Sequence, residues 1–295
     1  VRRDKKMPEI MDFFKSVDEK IAAADPTGKK DLTFRLIRWC LQRQMAFGKK
    51  ATELMNAWIT ANPQDAWAMN EWFSYVTQWP GVTEEHLRLI YRTYLNKNAS
   101  DRERTLHFVQ LLERINKWAE AKAELDRISA TDWEYGHYYQ RKGDRTNANI
   151  SFEKVYKSGD DKLSQDAAWY IASNCRDMRN YTEAIKWFDL TRNKYGYEAG
   201  YQIGICYEAM GEIRKAVDSW TEIYNFSDKD KEWLGKAGYA IARCYLKSGP
   251  ENRSNGISWA RKTAKAAVST GWPGQLNQLA GEYKFDIKGG DNEAK

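Results

Sequence analysis

Residues 200–220 read Gly200-Tyr201-Gln202-Ile203-Gly204-Ile205-Cys206-Tyr207-Glu208-Ala209-Met210-Gly211-Glu212-Ile213-Arg214-Lys215-Ala216-Val217-Asp218-Ser219-Trp220. An apolar–Gly pair opens the stretch and Tyr207 follows Gly204 by three residues. Gly211 then marks a turn, and Ala216 precedes Trp220 by four. Apolar residues recur at helical spacing on both sides of Gly211, so the stretch predicts two helices joined by a tight turn. A small residue in each helix lets the two approach closely, and the rings fill the space between neighbouring pairs.

The same skeleton recurs upstream. Trp133 to Tyr156 holds Tyr135-Gly136, Tyr139, Gly143, Ala148 and Phe152; Asp166 to Leu190 holds Ile171-Ala172, Cys175, Tyr181, Ala184 and Phe188. Downstream, Ile241-Ala242, Tyr245 and Gly249 match the first helix, and 250–254 lengthens the turn before Gly256 and Ala260 resume the second. Ala148, Ala184 and Ala216 stand 36 and 32 residues apart. This order of small, aromatic and turn residues resembles the tetratricopeptide repeat, W-x2-L-G-x2-Y…A-x3-F with a period of about 34 residues.

The N-terminal part matches more loosely. Phe108-Val109, Leu112, Trp118, Ala121 and Leu125 fit a unit over 101–129; Trp72, Tyr75, Leu87, Tyr91 and Tyr94 fit one over 65–98 that also resembles half-a-TPR repeats; Ala51, Met55, Trp58 and Pro63 fit a unit from 31. A leading helix is expected over 8–24 and a short cap over 274–285. Five prolines (Pro26, Pro63, Pro80, Pro250, Pro273) fall between predicted helices. The resemblance implies an all-α, right-handed solenoid of about seven antiparallel helix pairs. Its expected organisation is an N-terminal helix and linker (1–30), degenerate pairs (31–130), clear pairs in one continuous solenoid (131–270), and a cap and tail (271–295).

Composition agrees. The 295 residues include 13 Trp, 17 Tyr and 10 Phe against 6 Pro, material for a sizeable core rather than a disordered chain. Mean hydropathy is −0.78, and no run approaches the roughly 18–20 apolar residues that span a bilayer. The opening Val1-Arg2-Arg3-Asp4-Lys5-Lys6 is followed by no apolar stretch of signal-peptide type. The net charge of +6 sits at the ends: residues 1–63 and 231–295 each carry +5. Solvated helix faces account for that most simply, with a contact to an acidic protein, nucleic acid or lipid head groups as the lesser alternative.

Chemistry-bearing motifs are scarce. Cys40, Cys175, Cys206 and Cys244 form no CxxC and lie in apolar-periodic stretches, which predicts small buried hydrophobes and no metal. His86, His107 and His137 fall in three different units, and there is no HExxH, GxSxG or Walker loop. Neither a cofactor nor catalysis is expected.

In tetratricopeptide solenoids the first helix of each pair lines the concave surface, where extended or helical peptides bind. Carried over by position, this implies an aromatic column of Trp72, Trp133, Trp169, Tyr201 and Tyr239, flanked by His137, Ser173, Ile205 and Arg243 at the ninth position and Arg176 at the twelfth. The alternative use of those aromatics is packing against the adjacent first helix. The family's carboxylate clamp needs Lys and Asn where this chain has Trp169, Ser173, Gln202 and Ile205, so a chaperone-tail receptor is not expected. The expected role is a non-catalytic scaffold for a protein or peptide partner. The alternatives are an RNA-associated helical-repeat module or a subunit packed permanently in a larger complex. The first residue, Val1, fits a removed leader, a trimmed start or an alternative start codon equally; bacterial envelope proteins with such repeats are numerous, which leans the expectation slightly to an exported or periplasmic location over a cytoplasmic one.

Overall fold

The computed structural model describes residues 7–288 except 43, 63–64, 66, 69–70, 72–83, 85–86, 89–90, 92–94, 96–99, 161 and 228–229. Trp72 and most of the expected 65–98 unit lie outside the described residues. Among those described, the regular structure is helical: fourteen α-helices, one short 3-10 turn, π-helical positions at Tyr91 and Leu95, and no strand. It divides into two compact units, Val1–Ala130 and Thr131–Lys295.

In Val1–Ala130, α1 (Met7–Ala23), α2 (Pro26–Leu41) and α3 (Gln44–Ala61) pack in sequence, and α4 (Arg102–Arg114) pairs with α5 (Trp118–Arg127). Asp25 caps α2 by accepting from Gly28 N–H at 2.6 Å, with Pro26 in the first turn, where its missing N–H costs nothing. Phe34, Ile37, Cys40, Ala51, Met55 and Ile59 are buried between α2 and α3. Ala121 of α5 is fully buried beside Phe108 and Leu112 of α4, the small-against-large pattern expected of a pair.

In Thr131–Lys295 the pairs follow one another without interruption. They are α6 (Asp132–Lys142) with α7 (Arg145–Lys157), α8 (Ser164–Asp177) with α9 (Tyr181–Leu190), α10 (Arg192–Ala209, broken at Gly196, φ 45°) with α11 (Ile213–Phe226), and α12 (Lys231–Lys247) with α13 (Arg253–Ala266). Each helix packs on the next, and α14 (Trp272–Glu282) closes the series against α12 and α13. A capping box opens α6: Thr131 Oγ1 accepts from Glu134 N–H, and the Glu134 carboxylate accepts from Thr131 N–H at 2.6 Å.

Four of the pairs, α4–α5, α6–α7, α8–α9 and α10–α11, share one turn motif. At its centre a residue sits in the left-handed region: Asn116 (φ 61°), Gly143 (82°), Arg179 (63°) and Gly211 (77°). The residue after it donates back five positions to the first helix, as in Lys117 N–H to Leu112 O (2.8 Å), Asp144 to Tyr139 (2.9 Å), Asn180 to Cys175 (2.8 Å) and Glu212 to Tyr207 (2.9 Å). These Schellman bonds satisfy carbonyls that a helix end otherwise leaves orphaned, and they reverse the chain so that the partner helix runs antiparallel.

Side-chain size then sets the spacing within a pair. A Cβ added to Gly136 would stand 2.5 Å from Phe152 Cε1, so only glycine admits the Phe152 ring there. Phe152, Phe188 and Trp220, one from each of three second helices, are fully buried. Buried clusters run along the unit: Tyr207 packs on the one built from α7 to α10 and also on the next, built from α11 to α13. The core is therefore a continuous column rather than a single ball. Pro273 lies in the first turn of α14, which ends at Glu282 rather than at the expected 285.

Candidate functional site

The first helices α6, α8, α10 and α12 carry nine of the ten residues implied by the family resemblance; the tenth is Trp72. Positions 136, 172, 204 and 242 on those helices, and 148, 184, 216 and 260 on the second helices, are Gly or Ala and all are buried. Small residues at these eight places, with a Schellman turn inside three of the four pairs, define the unit. In that arrangement the pairs resemble tetratricopeptide repeats.

No protein-family model matches this tetratricopeptide-like chain, and no curated relative matches it. Among solved structures it is similar to YrrB, described as "a TPR protein with an unusual peptide-binding site", at 19% identity. That similarity has a TM-score of 0.42 and covers 64% of this chain and 97% of the other.

The structure gathers the site residues into two groups. Trp133 and His137 belong to a ring cluster on α6. Their centroids lie 4.5 Å apart edge-on, and Tyr170 of α8 stands 5.7 Å from Trp133 and 4.8 Å from His137. Phe152 completes the cluster by stacking on Tyr170 at 5.0 Å. Burial, with Arg141 nearby, holds the His137 imidazole below its ordinary value, so it stays neutral at physiological pH. Trp169 is likewise engaged. It stacks on Tyr195 at 4.3 Å and meets Phe188 edge-on at 5.1 Å, while the Tyr195 hydroxyl donates to Asp166.

The second group runs across α8, α10 and α12 and is polar. Arg176 Nη1 donates to Gln202 Oε1 at 2.5 Å, and Gln202 Nε2 donates to Glu198 Oε1 at 2.8 Å. Lys236 Nζ donates to Glu198 Oε2 at 3.0 Å, so one chain of hydrogen bonds links three successive first helices. Tyr201 lies against it, with Lys236 Nζ 4.3 Å above its ring and 4.2 Å above that of Trp233. Arg243 pairs with Glu208 at 2.6 Å, and both charges act on the Tyr201 hydroxyl, which burial first of all pushes above its ordinary value. Arg243 Nε is buried without an acceptor. Ser173 is half-buried one turn before Arg176, Ile205 packs on the α11–α12 cluster, and Tyr239 leans on Trp272 at 5.5 Å.

Glu198 and Lys236 are absent from the columns read in the sequence. Each stands three residues before the aromatic of its helix, Tyr201 or Tyr239, and Asp166 holds the same place before Trp169. A charged column beside the aromatic one was therefore legible as a fixed offset. Among the described residues no cluster of His, Cys, Asp or Glu is arranged to hold a metal, and no helix is long and apolar enough to cross a membrane.

Proposed function

We propose that this chain is a non-catalytic scaffold, an assembly or accessory subunit that holds a segment of a protein partner along the first-helix face of α8, α10 and α12. The observation that carries this reading is the polar row Arg176–Gln202–Glu198–Lys236 lying beside Tyr201 and the Arg243–Glu208 pair. Such a row offers donors and acceptors to a peptide main chain, and half-buried rings offer anchoring area.

Peptide display against the full-length protein supplies the test. Selected peptides should bind Arg176→Ala and Lys236→Ala at least tenfold more weakly than the original chain, with helicity unchanged. Equal affinities would refute the placement. Their binding should also change little with added salt. A steep salt dependence, with polynucleotide preferred over peptide, would favour the RNA reading instead. Two of the C-terminal cations argue against that outcome, since Arg253 and Arg261 are engaged with main-chain carbonyls of this chain.

A further inference from the structure

The second helix α13 differs in charge from the others of its unit. It carries Arg253, Arg261, Lys262 and Lys265 and no acid, whereas α7, α9 and α11 each mix both signs. Two of the four cations are engaged: Arg253 donates to Tyr283 O at 2.6 Å, and Arg261 to Asp286 O at 2.9 and 2.7 Å. A carbonyl acceptor uses the donors and leaves the charge. Lys262 and Lys265 are exposed, and neither forms an ion pair among the described residues. Ser254 and Ser258 precede them at four-residue spacing and are exposed too, so one helix face presents hydroxyls and ammonium groups to solvent.

This face ends beside two projecting apolar side chains. Phe226, the last residue of α11, is 71% exposed, and Val268, two residues past α13, is 75% exposed. Tyr224 and Ala267, each within two residues of one of them, lie in a single buried cluster, so the ends of α11 and α13 are neighbours. Tyr224 meets Trp259 edge-on at 5.0 Å, and Lys262 Nζ stands 4.8 Å from the first ring and 4.6 Å from the second. The acids on either side of Phe226 in the sequence are engaged. Glu222 faces Arg192 at 3.7 Å, and Asp230 accepts from Trp233 N–H at 3.2 Å to cap α12.

We infer that the ends of α11 and α13 form a docking surface for an anionic lipid bilayer, with Phe226 and Val268 entering the headgroup layer and Lys262 and Lys265 facing lipid phosphates. Charge complementarity argues for that occupant. An anionic leaflet responds to summed charge, so Arg253 and Arg261 contribute although their donors are used, and each added cation near the surface strengthens binding about fivefold. A nucleic-acid backbone is held instead by the donors themselves. The apolar pair argues the same way, because side chains that project suit a deformable layer, whereas a protein partner must offer a matching pocket to each. Trp259, half-buried beneath Lys262, adds an indole of the kind enriched at membrane interfaces. The contact is peripheral and lies on second helices, so it leaves the first-helix row open to a protein segment.

The test is flotation of the full-length protein with vesicles of phosphatidylcholine alone or mixed two to one with phosphatidylglycerol. The protein should float with the anionic vesicles and not with the neutral ones, and added salt should lower the bound fraction. Lys262→Gln/Lys265→Gln should weaken binding roughly tenfold or more. Phe226→Ser/Val268→Ser should weaken it about fivefold or more, with circular dichroism unchanged. If the apolar double variant loses helicity, an environment-sensitive nitrobenzoxadiazole dye on Val268→Cys makes the comparison. Its emission should shift to the blue on anionic vesicles, and the same dye on Ile150→Cys should not respond. Absence of binding, equal binding to neutral vesicles or an unshifted dye at position 268 would overturn the proposal. So would preference for a polynucleotide with full binding retained in Phe226→Ser/Val268→Ser, which assigns the lysines to a nucleic-acid backbone. A dimer that Phe226→Ser/Val268→Ser dissolves would also overturn it, by assigning the apolar pair to a second copy.

Discussion

The indole of Trp220 occupies the space that any side chain on residue 204 would need. A Cβ added to Gly204 would stand 2.5 Å from Trp220 Cε2 and closer still to Nε1, and that nitrogen donates to Tyr201 O at 3.2 Å. Shape and a hydrogen bond together fix the α10–α11 contact, and the backbone bearing Tyr201 is held by the same ring. Gly204→Leu should therefore overpack the pair and destabilise the protein by about 3 kcal/mol. Thermal unfolding checks this, and an unchanged midpoint would contradict the register of the whole repeat.

Arg179 does the work that Gly143 and Gly211 do in their pairs. It adopts φ 63° inside a Schellman turn, a conformation that costs a residue with a Cβ roughly 1–2 kcal/mol and glycine very little. Arg179→Gly should raise stability by about 1 kcal/mol, read as a higher urea midpoint with an unchanged slope. A loss of stability would mean the arginine side chain contributes more than its backbone strain removes.

The neutral His137 links stability to pH. Burial and then Arg141 lower its folded value below the 6.5 of an unperturbed imidazole, so the unfolded chain binds the proton first as pH falls. The contribution is fully present above about pH 6.5 and is lost progressively below it, until the folded imidazole also protonates. Carboxylates respond lower down. Asp166, where bonds from Lys194 and Tyr195 outweigh the upward push of burial, loses its contribution only below its ordinary 3.8. Urea midpoints should fall between pH 7 and pH 5 in the original chain, and less in His137→Gln. Identical slopes in the two proteins would refute the assignment.

All four cysteines are buried and none is in a disulfide. Burial pushes the Cys206 and Cys244 thiols up to about 11 and raises that of Cys175, which removes thiolate at neutral pH. A thiol reagent should modify none of them quickly in the native protein and all four in denaturant. A fast-reacting native thiol would contradict the packing of the helix that carries it.

The architecture was legible where one residue type does one geometric job. Ala148, Ala184 and Ala216 mark the close approach of paired helices, and Gly143 and Gly211 mark the turns. Arg179 was harder to read as a left-handed turn residue because nothing in its side chain announces positive φ; only its place in the repeat does. Part of the candidate site is similar. Arg176 and Arg243 were read from their columns, but their partners Gln202 and Glu208 lie on the neighbouring first helix, some 26 and 35 residues away, and no local pattern encodes such a pairing. Trp133 and Trp169 could not be divided between core and groove from sequence, since helical spacing is the same for both; in the structure each spends ring faces on neighbours within the chain. The cap was read through to 285, whereas α14 ends at Glu282 because Lys284 turns left-handed, which nothing in its side chain announces.

The claim that the first-helix face holds a partner segment is tested most directly by site-specific photo-cross-linking in the full-length protein. A benzophenone amino acid is placed at Ser173 on α8 and, separately, at Ile150, which is 51% exposed on the second helix α7. With a display-selected peptide as ligand, the account predicts an adduct from position 173 and none from position 150. An adduct from position 150 with none from position 173 would contradict it.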